Sequence, residues 1–402
     1  MFSIIFLIGL VIALGGNLLY SKALRHNAIT APRSTIAQPT LPAPTATVSV
    51  IIPAYNEAEI IELCVRSVLN SCDWSHERLE VWVVDDQSSD DTLERVQALQ
   101  TDLADPRLTV LRGQPRPPGE IWLGKNWACH QGTAQATGDF LLFLDADVQL
   151  HPGAIAAAIA LAQQHHHDLT TGVLTLICHC WAEWLAQPLI VGLLSVGLPF
   201  AAVNDPNSDA AFAAGQFMLF RRSAYELIGG HRAVADQVVE DVELARRIQQ
   251  KGLKLSYTIA HEWGTLHMYR TAAALWEGWT KNWYLGAQRN LPNTLYTVLM
   301  ILWLCTVPWL GFIYFVSQGL SDGFDWQPGI GLAIALLSIW LHYRLRCEIA
   351  TISAIPTRYW WATGMGGLFV TIIILGSIVK TETGWGWTWR GRPLQRPQST
   401  AT

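Results

Sequence analysis

Hydrophobic and polar positions alternate along this chain in three successive regimes. Residues 2–20, FSIIFLIGLVIALGGNLLY, carry no charge and are long enough to span a bilayer as one helix. A secretory signal peptide is the competing reading. Against it stand the missing basic n-region and an apolar stretch longer than an ordinary h-region. Lys22, Arg25 and Arg33 follow at once, which sets the downstream side in the cytoplasm. The pattern predicts a transmembrane helix over 1–21 and, in APRSTIAQPTLPAPTATV, an irregular Pro-rich linker over 22–46.

From Val48 the period changes. VSVIIPAYN, LEVWVVDDQSSDD, LTVLRG and DFLLFLDADV read as strands; EAEIIELCVRSVLNS, TLERVQALQ and GKNWACHQGTAQAT read as the helices between them. This alternation predicts an α/β domain, a mostly parallel sheet with helices on both faces. Ligands of such sheets bind in the crevice beyond the carboxyl ends of the strands. Here those ends carry Tyr55-Asn56-Glu57, Asp85-Asp86 and Asp145-Ala146-Asp147. Side by side, Asp145 and Asp147 would raise each other's pKa, so the pair calls for a cation.

After about residue 290 the chain turns apolar again. Residues 295–316 and 365–379 are spanning candidates, and 329–342 is a shorter one, giving two or three C-terminal spans within 291–380 before a basic tail over 381–402. Three spans would put Arg390, Arg392 and Arg396 outside, against the usual bias. Residues 185–203 are either core or a helix in the membrane surface. Composition agrees with a membrane protein: charged residues are 15% and mean hydropathy is +0.23. A net charge of -5 without a basic run argues against nucleic acid as a partner. Seven irregularly spaced cysteines make no disulfide framework. ICHC (Cys178 to Cys180) and His165 to His167 lack a second ligand pair at zinc spacing.

VSVIIPAYNE, VVDDQSSDDT, FLDADV and VVEDVELARRI occur in that order, and together they resemble the motifs of family 2 glycosyltransferases over residues 47–290. The resemblance implies a GT-A nucleotide-sugar fold and an inverting transfer. It implies that Asp147, with Asp145, holds Mg2+ or Mn2+ against the diphosphate of a donor, most often a UDP-sugar. Pro53, Ala54, Tyr55 and Glu57 would line the base and ribose, and Asp86 would hydrogen-bond the base. Asp241 would be the catalytic base beside Glu240, and Gly215 and Gln216 would form the acceptor-side loop. Read alone, Lys125 at a helix start is disfavoured by the dipole, so it calls for an anionic partner such as the donor phosphates. A surface lysine is the bland alternative. Asp90 and Asp91 fit a helix N-cap, and Arg221 and Arg222 a structural or phosphate-facing role.

ALWEGWTKNWYLGAQRN lacks the Gln-x-x-Arg-Trp motif of processive members, so a single transfer is expected. Trp279 and Lys281, just before a span, fit the acceptor side or a plain interface anchor. GQFMLFRR, GGH and EGWTKN resemble a membrane-bound subgroup of carotenoid and hopanoid-associated glycosyltransferases. That implies a membrane isoprenoid hydroxyl as acceptor. A polyprenyl-phosphate glycosyltransferase and a non-catalytic scaffold with a degenerate fold remain the alternatives.

Overall fold

The computed structural model describes residues 2–36 and 46–394, which fall into two compact units. One unit takes Ala31–Ile177 and Phe200–Met268. The other takes the chain up to Thr30, Cys178–Pro199 and the chain from Tyr269 on.

The first unit is built on β1 (Val48–Ala54), β2 (Leu79–Asp85), β3 (Leu108–Arg112), β4 (Phe140–Leu144), β5 (Val148–Leu150), β6 (Leu169–Val173), β7 (Thr175–Leu176), β8 (Phe217–Arg221), β9 (Leu255–Ile259) and β10 (Gly264–Leu266). Seven of these form one sheet in the order β3-β2-β1-β4-β8-β6-β9, and β5-β10-β7 form a smaller one. Strands β1 to β4 are parallel to one another, and β8 runs against both β4 and β6. All five residues of β4 are buried, as a strand covered on both faces requires. Pro53 sits in a central strand without breaking it. Ala54 O points to β2, where it accepts from Asp86 N, so the Pro53 nitrogen faces the other side. There pairing with β4 has already ended at Ile51, and no ladder donor is lost. The Ile61–Leu69 helix shows how the covering layer is specified: Ile61, Cys64, Val65, Val68 and Leu69 are buried, at the spacing that makes one apolar stripe.

The second unit is helical. Four of its helices, Ser3–Thr30, Leu291–Asp322, Trp326–Ser353 and Trp360–Thr383, are long and apolar enough to cross a membrane. Small residues let them approach. A β-carbon on Gly311 would meet Leu10, one on Gly331 would meet Phe315 and one on Gly367 would meet Cys305. The helix from Leu291 passes through a π-turn at Leu302–Thr306 just before Pro308. Proline supplies no amide donor and crowds the preceding turn, and the wider turn absorbs both.

Several boundaries move. The first helix continues past residue 21, through Lys22 and Arg25, to Thr30. The middle C-terminal span is Trp326–Ser353, twice the apolar run expected at 329–342, because its second half carries His342, Arg344 and Arg346 within the helix. The sheet unit does not run unbroken over 47–290: Trp181–Gly197 and Ala272–Gly286 cluster with the helical unit. The apolar stretch 185–203 therefore divides, and up to Pro199 it belongs to the helical unit. Its last residues form a separate turn, Phe200–Val203, in the sheet unit. Of the tail, Thr388–Trp389 and Arg392–Pro393 pair as a short hairpin, and Arg396 lies outside the described residues.

Candidate active site

The strands that deliver the acids end on one edge. Asp86 N donates to Ala54 O (2.8 Å), and Asp145 N donates to Gln216 O (3.2 Å) at the start of antiparallel β8. The Tyr55 to Glu57 turn is held to the next strand end. Asn56, in the left-handed region at φ 55°, accepts from Ser89 N (2.9 Å), and Glu57 N donates to the Thr92 hydroxyl (2.7 Å). Asparagine tolerates that backbone where a β-branched residue would not. Asp85 folds back to accept from Ser88 N (3.3 Å), and Asp90 accepts from Thr92 N (3.0 Å), a local cap. Pro53 and Ala54 close β1 itself.

Asp86 is buried and pairs with Arg116 Nη2 at 3.1 Å. Gly124 stands against this pair: a β-carbon there would run into Asp86 Oδ2 and lie 3.0 Å from Arg116 Nη2. Beside it, Lys125 Nζ lies 2.7 Å from Asp145 Oδ1 and 2.8 Å from Glu240 Oε1. The anionic partners that the lysine calls for are thus, in this structure, two carboxylates from the chain. Burial works against its charge, but Asp145, Glu240 and Asp241 hold its pKa well above the ordinary lysine value.

Asp241 opens the Glu240–Gln250 helix, whose first turn carries Glu240, Asp241 and Glu243 where the dipole favours acids. Its Oδ1 accepts from Val242 N (2.8 Å) and its Oδ2 from Gly215 N (3.2 Å). A β-carbon on Gly215 would sit 2.6 Å from that same Oδ2. Burial first, and then the charge of Glu240, push the Asp241 carboxyl up to about 7, against the pull of Lys125. Contacts thus run Asp241–Gly215–Gln216–Asp145–Lys125–Glu240 around one edge of the sheet.

Asp147 sits in the turn between β4 and β5, where its carbonyl accepts from His267 N (3.0 Å). Among the described residues no three His, Cys, Asp or Glu side chains gather into a metal cage. Asp145 and Asp147 therefore offer a partial set of hard oxygen donors. That set fits a divalent cation that completes its shell with water and phosphate oxygens. Trp279 and Lys281 belong to the helical unit, where Trp279 Nε1 donates to Gln187 (3.2 Å) and Lys281 Nζ lies 4.0 Å from the Trp389 ring centroid.

Two residues of this edge escape the sequence reading. Arg116 follows β3 in QPRPPGE, and a basic residue after a parallel strand was the available signal. Asn126 gives none: its Nδ2 donates to Val234 O (2.8 Å) and Gln237 O (2.9 Å), fastening the approach to Glu240 onto the helix of Lys125.

The model described as Glycosyl transferase family group 2 matches residues 140–375, more than half of the chain, and that of Glycosyl transferase family 2 matches 49–229. The chain belongs to glycosyltransferase family 2. This glycosyltransferase is similar to the 4,4'-diaponeurosporenoate glycosyltransferase of Staphylococcus haemolyticus, with 27% identity over 263 residues, 65% of this chain and 66% of that one. The protein of that name from Staphylococcus aureus (strain USA300) is 26% identical over 64% of this chain and 65% of its own. The glycosyltransferase thus spans just under two thirds of the length of these relatives. An undecaprenyl-phosphate 4-deoxy-4-formamido-L-arabinose transferase of Pseudomonas savastanoi is 31% identical over 38% of this chain and 43% of its own. Among solved structures, a mannosyltransferase from Pyrobaculum calidifontis, in complex with GDP-Man and Mn2+, superposes with a TM-score of 0.53 at 19% identity, covering 96% of this chain and 100% of that one. The fold is GT-A.

Proposed function

We propose that the glycosyltransferase moves one sugar from a nucleotide-sugar donor, a UDP-sugar, to a hydroxyl of an isoprenoid-type membrane lipid, with inversion. The observation that carries the reading is Asp241: a half-buried carboxyl at the sheet edge, aimed by Val242 N and Gly215 N and raised to about 7. An acceptor hydroxyl is a poor nucleophile. As its oxygen bonds to the anomeric carbon, its proton passes to Asp241, and the bond from that carbon to the diphosphate breaks on the opposite face. Asp86, with Arg116 behind it, and Tyr55 hold the base. Glu240 and Lys125 fix the base helix relative to Asp145. When bound at Asp147 and Asp145, a divalent cation supplies charge neutralisation for the departing diphosphate. The lipid class comes from the names of the relatives, and the cytoplasmic side of the catalytic unit from Lys22, Arg25 and Arg33 after the first span.

The test is Asp241→Asn with purified protein, a nucleotide-sugar panel and a total lipid extract read by mass spectrometry. The expected result is loss of turnover by about 100-fold or more with donor binding kept. An acceptor that is already anionic, as the name of the undecaprenyl-phosphate transferase implies for that protein, needs no base. A loss of only a few fold would favour that second reading. If no lipid gains mass with any donor, the lipid acceptor is wrong. Chelation is expected to abolish turnover, with recovery on adding Mg2+ or Mn2+; unchanged turnover in chelator would remove the metal from the scheme.

A further inference from the structure

The acidic edge of the sheet holds a cation of its own. Lys125 Nζ lies 2.7 Å from Asp145 Oδ1 and 2.8 Å from Glu240 Oε1, and all three residues belong to the sheet unit. The two ends of this bridge differ. The side chain of Asp145 is 31% exposed and that of Glu240 only 9%. An ion pair open to water is exchanged at small cost, whereas a carboxylate taken out of water keeps its counter-ion. Lys125 is therefore held at the Glu240 end and exchangeable at the Asp145 end.

The backbone beneath the lysine is pinned. On one side Leu123 N donates to Ala235 O (2.8 Å), and on the other Asn126 Nδ2 donates to Val234 O (2.8 Å). Gly124 leaves no space toward Asp86, whose Oδ2 a β-carbon there would overlap. What can move is the flexible four-carbon stem, itself 31% exposed, which carries Nζ in an arc about a fixed Cα.

Asp145 is thus claimed twice. It is one of the two carboxylates offered to a divalent cation, and it already carries an ammonium. Two positive charges on one carboxylate repel, so loading the cation alone forfeits the lysine's bond to Asp145 with nothing in return. A diphosphate changes that balance, because its oxygens accept the displaced ammonium.

We infer that Lys125 is an exchangeable counter-ion of Asp145, which a divalent cation must displace and which the donor's diphosphate then receives, so that cation and nucleotide bind cooperatively. The inference rests on the reading of Asp145 and Asp147 given above. Throughout, Glu240 is the pivot, and the base helix stays anchored. The lysine's share of the cooperativity equals what its bond to Asp145 contributes, and by linkage it is the same seen from either ligand.

The test uses the full chain in detergent micelles. Uptake of Mn2+ alone is read by loss of the free ion's electron paramagnetic resonance signal. Binding of labelled UDP is read by equilibrium dialysis, once at saturating Mn2+ and once in chelator. Lys125→Gln, whose amide can donate to both carboxylates without the charge, should bind Mn2+ alone about tenfold tighter, the scale of a charge-assisted hydrogen bond. The gain in UDP affinity that Mn2+ brings should shrink by the same factor. Should Lys125→Gln fail to fold, Lys125→Arg takes its place: a two-pronged grip on Asp145 should make binding of Mn2+ alone weaker than in the parent, and equal or tighter binding overturns the proposal. Lys125→Gln with the parent's affinity for Mn2+ and only a lower thermal stability also overturns it, the mark of a plain cross-link between Asp145 and Glu240. No uptake of Mn2+ by parent or variant, even with UDP, overturns the cation reading and this inference with it, so the two failures are separable.

Discussion

Gly215 and Gly124 each stand where one methyl group would touch an acid, and the proposed reaction gives the two acids different work. Gly215→Ala would press on Asp241 Oδ2, so kcat should fall by about 100-fold with the donor KM little changed. Gly124→Ala would press on Asp86 and Arg116, so the donor KM should rise while kcat holds. Steady-state kinetics on both variants separates the two effects, and the reverse pattern would exchange the assigned roles. Asp241 also fixes a pH dependence. The proposed transfer uses its ionised form, so kcat/KM should rise with pH through about 7, and the rise should vanish in Asp241→Asn. Stability runs the other way. The folded carboxyl keeps its proton above the ordinary aspartate range, so this group's contribution falls as pH climbs from about 4 to about 7. At this scale the motifs named Asp86, Asp145 and Asp147 because strand ends announce themselves by an abrupt change from apolar to acidic, and Asp241 because an acidic pair opens an amphipathic helix. The partners of Lys125 were not legible. One, Asp145, ends the next strand, and the other, Glu240, opens a helix more than a hundred positions away; a local pattern carries no such pairing.

Helices and strands of the sheet unit follow from their periods. β4 is five apolar residues and reads as a doubly covered strand, and the Ile61–Leu69 stripe reads as a helix. What ties elements together is less visible. Asn126 is 1% exposed and holds carbonyls of the 234–237 segment, so Asn126→Ala should cost about 1–3 kcal/mol in chemical denaturation and lower turnover by loosening the base helix. Full stability in that variant would show that the segment is held elsewhere. The Trp181–Gly197 helix was ambiguous for a physical reason: an apolar run of that length suits a buried core as well as a bilayer, and only its neighbours decide. Pro308 was plain in the sequence, but the π-turn that accommodates it was not.

For the whole molecule, low charge and four long apolar helices predict that high salt and alkaline carbonate leave the protein in the membrane pellet and that detergent releases it. Release by carbonate alone would mean that these helices do not insert. The order of domains was legible because each regime of hydropathy is long. Their interleaving was not, since it depends on which surfaces meet after folding.

That interleaving limits how the molecule can be divided. The helical unit draws on three separate stretches, one of them, Cys178–Pro199, threaded through the sheet unit's sequence. A fragment cut at 47 and 290 in search of a water-soluble enzyme would carry Trp181–Gly197 and Ala272–Gly286 away from their companions, and the orphaned helices would aggregate. A soluble version needs the first of these helices redesigned with a polar face and the second left out.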